Sequence, residues 1–164
     1  MSSARPYDRC MPRKLRLYID VDGVLLKPAF ANGGPPVQTT ADDLGEFLDW
    51  AVETFDCYWL TAWGIGGDGK NIRRALIPHL PPAAKRIKLA VWHRLKTDAF
   101  KDGEFFWIDD ELYAGERELL SERGWITRYV RVDPFERSLL PVRKAIESRM
   151  KRVERETKAR RREP

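Results

Sequence analysis

Residues 15–26 join an apolar run to a pair of acidic residues. The first part, Leu-Arg-Leu-Tyr-Ile, has the apolar, β-branched and aromatic composition of a buried strand. Asp20 and Asp22 follow it, and Gly23 then allows the backbone to turn sharply. In an open α/β sheet, ligands bind in the crevice outside the carboxyl ends of the strands. The pattern therefore predicts that both acids lie where a ligand would bind.

Two other structures share part of this pattern. An Asp-x-Asp-Gly segment also opens calcium-binding loops, which need a further oxygen ligand two or three residues later and a glutamate near the loop end. Leu25 and Leu26 stand at the ligand positions and the glutamate is missing, which argues against calcium. An ordinary turn after a buried strand stays open as an alternative.

Apolar runs and helical patterns alternate along the rest of the chain. Strands are predicted at 57–60, 87–91, 105–108 and 126–132, and helices at 40–53 (capped by Thr39 or Thr40), 71–77, 97–101 and 115–123. This alternation predicts a Rossmann-like three-layer α/β/α sandwich around a central, mostly parallel sheet. Residues 27–38 contain several glycines and prolines and are expected to form a surface loop without regular structure.

The composition predicts one domain with a basic segment at each end. With 164 residues, 43% of them apolar, the chain can build one real core. We expect a loosely held basic arm at 1–14, a catalytic domain at 15–148 and a basic tail at 149–164. The net charge is +5, but the basic excess lies at the two ends and the middle is acidic. The ends, rather than the body, are therefore expected to meet a polyanion, and a solvated helix end is the alternative for the C-terminal segment.

Two further features bear on the compartment. No apolar run approaches the roughly 20 residues of a membrane span, and the N-terminus lacks the apolar core of a signal peptide. We therefore expect a cytoplasmic protein with no membrane partner, and the oligomeric state stays open. Cys10 and Cys57 are too few for a disulfide framework or a zinc cluster.

Polar residues follow three of the predicted strands, at what should be one edge of the sheet. They are Asp20, Asp22, Thr61, Asp109 and Asp110, with Lys96 entering from a short helix nearby. Converging carboxylates repel one another unless a cation lies between them, and hard oxygen ligands suit Mg²⁺. One carboxylate could then be a nucleophile. The Thr61 hydroxyl, neighbouring backbone amides and the Lys96 charge describe a pocket for a phosphoryl group.

These segments resemble, in order, the four motifs of the haloacid dehalogenase superfamily. Residues 17–26 resemble its first motif, Leu60-Thr61 the second, Lys96 the third and residues 107–110 the fourth. The resemblance covers residues 15–132. The Asp-Val-Asp-Gly-Val and Leu-Thr-Ala-Trp details also resemble small domains of this superfamily that are associated with bacterial and phage RNA-repair proteins.

The resemblance implies a Mg²⁺-dependent phosphomonoester hydrolase that works through an aspartyl-phosphate. Asp20 would attack phosphorus, while Asp22 would protonate the leaving oxygen and later activate water. The metal ligands would be Asp20, the backbone carbonyl of Asp22, and Asp109. The phosphoryl group would be bound by Thr61, Ala62 and Lys96, with Asp110 supporting the metal shell or orienting Lys96. The alternatives to Lys96 are Lys85, Lys88 and Lys101.

The gaps between the motifs leave no room for a cap domain, so the resemblance is to capless members. An uncovered site suits a phosphate on a macromolecule, such as the 3′-phosphate of a nucleic-acid end. Residues that could contact nucleic acid are Trp63, Trp92, His93, Phe30, Arg160, Arg161 and Arg162. A core or packing role is the alternative for each of the aromatic residues. A phosphatase of nucleotides or phosphoproteins is one alternative. A nucleic-acid-binding protein without turnover is another, against which the intact Asp20 and Asp22 pair argues.

Overall fold

A central parallel sheet organises the computed structural model, which describes residues 14–30, 34–64 and 69–160. The strands are β1 (Arg16–Ile19), β2 (Leu26–Ala29), β3 (Val37–Thr40), β4 (Asp56–Trp59), β5 (Lys88–Leu89), β6 (Phe105–Asp109) and β7 (Tyr129–Arg131). The α-helices are α1 (Leu44–Thr54), α2 (Ala114–Glu122) and α3 (Leu140–Arg160). Residues 1–13, which include Cys10 and most of the expected basic arm, lie outside the described part.

The sheet has five strands in the order β5-β4-β1-β6-β7, and every neighbouring pair is parallel. The chain therefore moves outward from β1 through β4 to β5, then crosses back to place β6 on the other side of β1. This reversal opens a crevice at the carboxyl ends of β1 and β6. The prediction of an α/β fold with a parallel sheet is confirmed, and the strand order is compatible with a Rossmann-like fold.

Side chains on alternate strand positions enter two separate apolar cores. Leu17 and Ile19 of β1 belong to the core that includes buried residues of α1 and α3. Tyr18, between them, belongs to the second core, which includes Leu120 of α2. Helices therefore cover both faces of the sheet, giving three layers. Strands buried on both faces need apolar residues at every position, which explains why their sequences are continuous apolar runs.

The segment between β1 and α1 differs from the sequence prediction. β2 and β3 form an antiparallel hairpin in which Pro28 pairs with Gln38 and Leu26 with Thr40. The prediction of no regular structure at 27–38 was therefore wrong. So was the helix start at Thr39 or Thr40, because these residues lie in β3. A two-stranded ribbon tolerates Pro28 because each strand needs hydrogen bonds on one side only.

Other predicted elements are present but are shorter or depart from α-helical geometry. The predicted helix at 71–77 is a π-helical turn at Ile72–Leu76, followed by a 3₁₀ turn at Ile77–His79. The predicted helix at 97–101 is a 3₁₀ turn at Lys96–Ala99, and the predicted strand at 126–132 begins as the 3₁₀ turn Ile126–Arg128. Pro78 lacks the N–H that a longer α-helix would require.

The long helix α3 is attached to the body at its start and near its middle. Asp43, just before α1, accepts hydrogen bonds from the Ser138 hydroxyl and from the backbone N–H groups of Leu139 and Leu140. Val142 and Ile146 are buried, so the first half of α3 packs against the body. Arg149 donates to the carbonyls of Thr127 and Tyr129. The tail boundary at 148/149 stays a prediction.

Some predictions for the ends of the chain fall outside the described structure. The side chain of Arg160 and residues 161–164, with Arg161 and Arg162, are not described.

Cys57 is a free thiol, and burial raises its pKa to about 12, so it is not a nucleophile at neutral pH. Among the helices of the described ranges, none has the length and apolarity required to cross a bilayer.

A buried lysine connects the hairpin to the loops at the carboxyl-terminal edge of the sheet. Lys27 is 0% exposed, and its ammonium donates to the carbonyls of Gly23 and Asp133, each at 2.9 Å. We expect Lys27→Met to lower the free energy of unfolding by about 2 kcal/mol, because two carbonyls lose a charged donor. Urea unfolding would measure it. Lys85→Met, at an exposed position, is the control, and equal effects in the two variants would contradict the prediction.

Candidate active site

Two aspartates meet at the point where the strand order reverses. Asp20 follows β1 and Asp109 ends β6, and these neighbouring strands pair Ile19 with Ile108. The Asp20 backbone N–H donates to the Ile108 carbonyl at 3.1 Å, which fixes the register at the site. Both residues are buried. With Asp110, they bring three carboxylates together whose oxygens lie within 4.8 Å of one another.

Lys96 lies between the two buried aspartates. Its Nζ is 2.6 Å from Asp109 Oδ2 and 3.3 Å from Asp20 Oδ2. The alternatives to Lys96 lie elsewhere: Lys85 and Lys101 are exposed, and Lys88 pairs with Asp56 at the opposite end of β4. The structure thus brings Lys96, and not those lysines, to the acids.

Residues that the sequence reasoning missed hold Lys96 and Asp109 in place. Glu116 of α2 is 1% exposed and accepts from the backbone N–H groups of Lys96 and Tyr113, at 3.0 and 3.2 Å. The Trp107 indole N–H donates to Asp109 Oδ2 at 3.1 Å. One sequence signal was present for Glu116, since a glutamate three residues after a helix N-cap commonly bonds back to the cap N–H.

Burial and mutual repulsion set the protonation of these acids when no cation is bound. Burial raises the pKa of Asp20, and the Lys96 charge and a hydrogen bond from Thr61 partly oppose this. Burial, then the nearby Asp20 charge, raises the pKa of Asp109 to about 7. The two carboxylates outweigh burial at Lys96, so its pKa is raised and it stays charged. When all three carboxylates are ionised, the pocket holds more negative charge than one lysine balances.

The stability of the cation-free protein should depend on pH for this reason. An aspartate in an unfolded chain titrates near about 3.9. Asp109, with a folded pKa of about 7, holds a proton between these values that the unfolded chain has released. We therefore expect the free energy of unfolding to fall as pH rises from about 4 to about 7.

Urea unfolding in EDTA across that range would measure the slope. Asp109→Asn should flatten it, whereas Asp49→Asn, on an exposed part of α1, should keep it. An unchanged slope in Asp109→Asn would assign the pH dependence to other groups.

The end of β4 places a hydroxyl beside Asp20. Thr61 is 1% exposed and hydrogen bonds to the Asp20 carboxylate. Ala62 follows it in an exposed position and begins a 3₁₀ turn, Ala62–Gly64. Thr61 therefore lies at the site, next to the backbone segment that was expected to supply amide donors.

The side chain of Asp22 has partners of its own. Its Oδ1 accepts from the Gln38 side-chain amide at 3.0 Å, and its Oδ2 accepts from the Trp63 indole N–H at 2.9 Å. Gln38 belongs to β3 and was not identified from the sequence. Trp63 was expected to contact nucleic acid, and in this structure it contacts Asp22. The carboxylate of Asp22 is therefore held beside the cluster of Asp20, Asp109 and Asp110, and is not a member of it.

Gly23 brings the first acidic loop close to the second. Its φ is +73°, and a Cβ at this position would lie 2.2 Å from Asp110 Oδ2. A side chain here would adopt an unfavourable backbone conformation and would collide with a carboxylate. Glycine is therefore required if Asp110 is to stay beside Asp20.

Comparison of the chain with protein-family models and with curated proteins found no match. The geometry of the site must therefore carry the functional argument.

The donor set fits a hard divalent cation. Asp20, Asp109 and Asp110 offer only carboxylate oxygens, which suit Mg²⁺ better than softer metals. The expected ligands were Asp20, Asp109 and the backbone carbonyl of Asp22. The structure groups the first two and adds the Asp110 carboxylate, while the Asp22 carboxylate is bonded to Gln38 and Trp63.

The other aromatic residues expected near the mouth differ in exposure. Phe30, at the end of β2, is 69% exposed, and His93 is also exposed. Trp92 is partly buried and packs against the second core. Phe30 and His93 therefore remain available to a ligand, whereas part of Trp92 serves packing.

Proposed function

We propose that the protein is a Mg²⁺-dependent phosphomonoester hydrolase that works through an aspartyl-phosphate. The observation that carries the proposal is the contact of Lys96 with both Asp20 and Asp109 at the reversal point of the sheet. The Thr61 hydroxyl lies beside the same Asp20, and Asp22 follows two residues later. A carboxylate nucleophile, fixed positive charge and a hydroxyl donor are the groups that phosphoryl transfer requires.

A cation would be held by Asp20, Asp109 and the backbone carbonyl of Asp22, with Asp110 as a further carboxylate at the site. When bound, Mg²⁺ would balance the excess negative charge and polarise the phosphoryl oxygens.

In the first step, a carboxylate oxygen of Asp20 forms a bond to phosphorus. The bond between phosphorus and the ester oxygen breaks, and its electron pair stays on that oxygen, which receives a proton from Asp22. Lys96 and the Thr61 hydroxyl bind the non-bridging oxygens of the phosphoryl group.

In the second step, Asp22, now a carboxylate, takes a proton from water while the water oxygen forms a bond to phosphorus. The bond between phosphorus and Asp20 breaks, and its electron pair restores the Asp20 carboxylate. Inorganic phosphate leaves, and Asp22 has regained its proton. Each group therefore returns to its starting state.

We also propose that the protein is a capless member of the haloacid dehalogenase superfamily, whose motifs its sequence resembles. Between β1 and α1 the chain forms the short hairpin β2–β3, and residues 69–87 form short helical turns. These elements support an open site, and an open site favours a phosphate on a macromolecule such as a nucleic-acid end. Nucleotides and phosphoproteins are the alternative substrates. A nucleic-acid-binding role without turnover is disfavoured because such a role does not require Lys96 to contact two buried carboxylates, Asp20 and Asp109.

A substrate panel tests the proposal. Phosphate release would be measured from p-nitrophenyl phosphate, a 3′-phosphorylated oligonucleotide, nucleoside monophosphates and a phosphopeptide, each with Mg²⁺ and with EDTA. We expect Mg²⁺-dependent release from the aryl phosphate and fastest turnover of the oligonucleotide. If phosphate were released from none of these substrates, the proposed activity would be contradicted. Faster turnover of the nucleoside monophosphates or the phosphopeptide would identify that class, and not the nucleic-acid end, as the substrate.

The basic tail offers a separate test of the nucleic-acid assignment. Because Arg149 is bonded to the body, truncation after Val153 removes basic residues while keeping that attachment. We expect weaker oligonucleotide binding. The slope of log affinity against log salt concentration should be smaller in magnitude by about 0.7 to 0.9 for each phosphate that the tail no longer neutralises. Turnover of p-nitrophenyl phosphate should be unchanged. If the full and truncated chains had equal slopes of log affinity against log salt concentration, the tail would not contact the nucleic acid.

A further inference from the structure

The two oxygens of the Asp22 carboxylate are held by two separate elements. Gln38 reaches Oδ1 from β3, and Trp63 reaches Oδ2 from the turn after β4. The Trp63 backbone N–H also donates to Thr61 Oγ1 at 3.4 Å, and Thr61 in turn hydrogen bonds to Asp20. Asp22 is thus connected through Trp63 to the residue beside the proposed nucleophile.

The two donors differ in whether they can face an oxygen of the Asp22 carboxyl group that carries a proton. An indole N–H can only donate, so the oxygen it faces must remain an acceptor. A side-chain amide carries both donors and an acceptor, so by rotating it can face either a bare oxygen or a hydroxyl. Oδ2, beside Trp63, is therefore unsuited to carry a proton. Oδ1, beside Gln38, can carry one.

The two donors also differ in exposure. Gln38 is exposed on the hairpin, whereas Trp63 is partly buried and packs against the larger apolar core. A group arriving from solvent can displace an exposed amide more easily than a packed indole. The exposed donor and the oxygen able to carry the proton are on the same side of Asp22.

We propose that Trp63 and Gln38 are positioning residues for Asp22, with Trp63 fixing the carboxyl group so that Oδ1 is the oxygen that exchanges the proton. Gln38 holds Oδ1 until the leaving group of the substrate takes its place. The proton then passes from Oδ1 to the ester oxygen as that oxygen receives the electron pair of the broken bond to phosphorus. This inference rests on the proposed phosphatase function, because it assigns partners to its general acid.

The test compares two aryl phosphates in Trp63→Phe, which removes the N–H and keeps an aromatic ring. A p-nitrophenolate leaves with little help from an acid, whereas a phenolate needs a proton. We expect kcat/KM, which reports the first step, to fall about 10-fold for phenyl phosphate, a fraction of what a general acid contributes, and much less for p-nitrophenyl phosphate. A partly misfolded sample would lower both rates equally, so the ratio of the two rates isolates positioning.

Matched variants control the comparison. Trp50→Phe replaces a partly buried tryptophan in α1 and should leave the ratio of the two rates unchanged. Gln38→Leu should change that ratio in the same direction as Trp63→Phe, whereas Val37→Ala, at an exposed neighbour on β3, should not. An unchanged ratio in Trp63→Phe and Gln38→Leu would overturn the positioning role.

A second measurement does not depend on turnover. The chain has six tryptophans, and the indole N–H resonance of Trp63 is the one that Trp63→Phe removes from a proton–nitrogen spectrum. We expect Asp22→Leu to move that resonance upfield, because the N–H loses its hydrogen-bond acceptor. No movement would overturn the inference even in an active phosphatase. Movement of the resonance in a protein with no activity would overturn the proposed function and leave the hydrogen bond between Trp63 and Asp22 established.

Discussion

Asp20→Asn is expected to abolish Mg²⁺-dependent hydrolysis of p-nitrophenyl phosphate, lowering kcat by at least about 10³-fold. An amide is a poor nucleophile towards phosphorus and cannot supply the anionic oxygen that a cation requires. Asn nearly matches Asp in shape and can still accept from Thr61. Release of p-nitrophenolate under saturating substrate would measure the effect.

Asp22→Asn is the matched comparison for Asp20→Asn. It removes the proposed acid and base but keeps the backbone carbonyl, so turnover should slow while Mg²⁺ still binds. Asp109→Asn should weaken Mg²⁺ binding, as followed by titration calorimetry. Undiminished activity in Asp20→Asn would exclude it as the nucleophile. A loss of Mg²⁺ affinity in Asp22→Asn as large as in Asp109→Asn would contradict the assigned division of roles.

Lys96→Met should affect both activity and stability. The Lys96 side chain is 14% exposed and that of Asp109 is 2% exposed, so water cannot replace the missing charge. Removing one partner of a buried ion pair typically costs about 3 to 5 kcal/mol. We expect a loss of that order in EDTA at pH 8, where Asp109 would otherwise be ionised, together with loss of phosphatase activity.

Mg²⁺ provides a sharp control for Lys96→Met. A cation among the carboxylates should restore part of the stability without restoring turnover, because the phosphoryl oxygens would still lack the Lys96 charge. Lys101→Met, at an exposed position, should change neither quantity. Equal stability of Lys96→Met and Lys101→Met in EDTA would show that the ion pair does not stabilise the fold.

The sequence was sufficient to predict that the acids and Lys96 lie together, because each occurs in a recognisable local pattern. Asp20 and Asp109 come at the ends of apolar runs, and parallel strands bring such ends to one edge of the sheet. Lys96 is distinguished from the neighbouring lysines only because one short predicted helix and one predicted strand separate it from Asp109. The structure brings the three residues together, with distances of 2.6 and 3.3 Å from the lysine to the two carboxylates.

The partners of these residues were not predictable in the same way. Gln38, Glu116 and Lys27 act through contacts between segments whose relative placement depends on the whole fold. The prolines and glycines around Gln38 predict an irregular loop, whereas in the structure Gln38 pairs with Pro28 in a hairpin. Lys27 is a charged residue in a fully buried position, which composition statistics disfavour for lysine unless a partner is present. Local patterns therefore located the acids and Lys96, but not the residues that hold them in place.

The strand order has a consequence for how the site forms during folding. β1 lies at the centre of the sheet, yet its neighbour β6 comes much later in the chain, after β4 and β5. Bringing Asp109 beside Asp20 requires closing a long loop, and such non-local pairings form slowly. A chain still emerging from the ribosome would hold Asp20 and Thr61 without Lys96 or Asp109. The amino-terminal half alone would therefore hold an incomplete site, which is completed only when the crossover to β6 has formed.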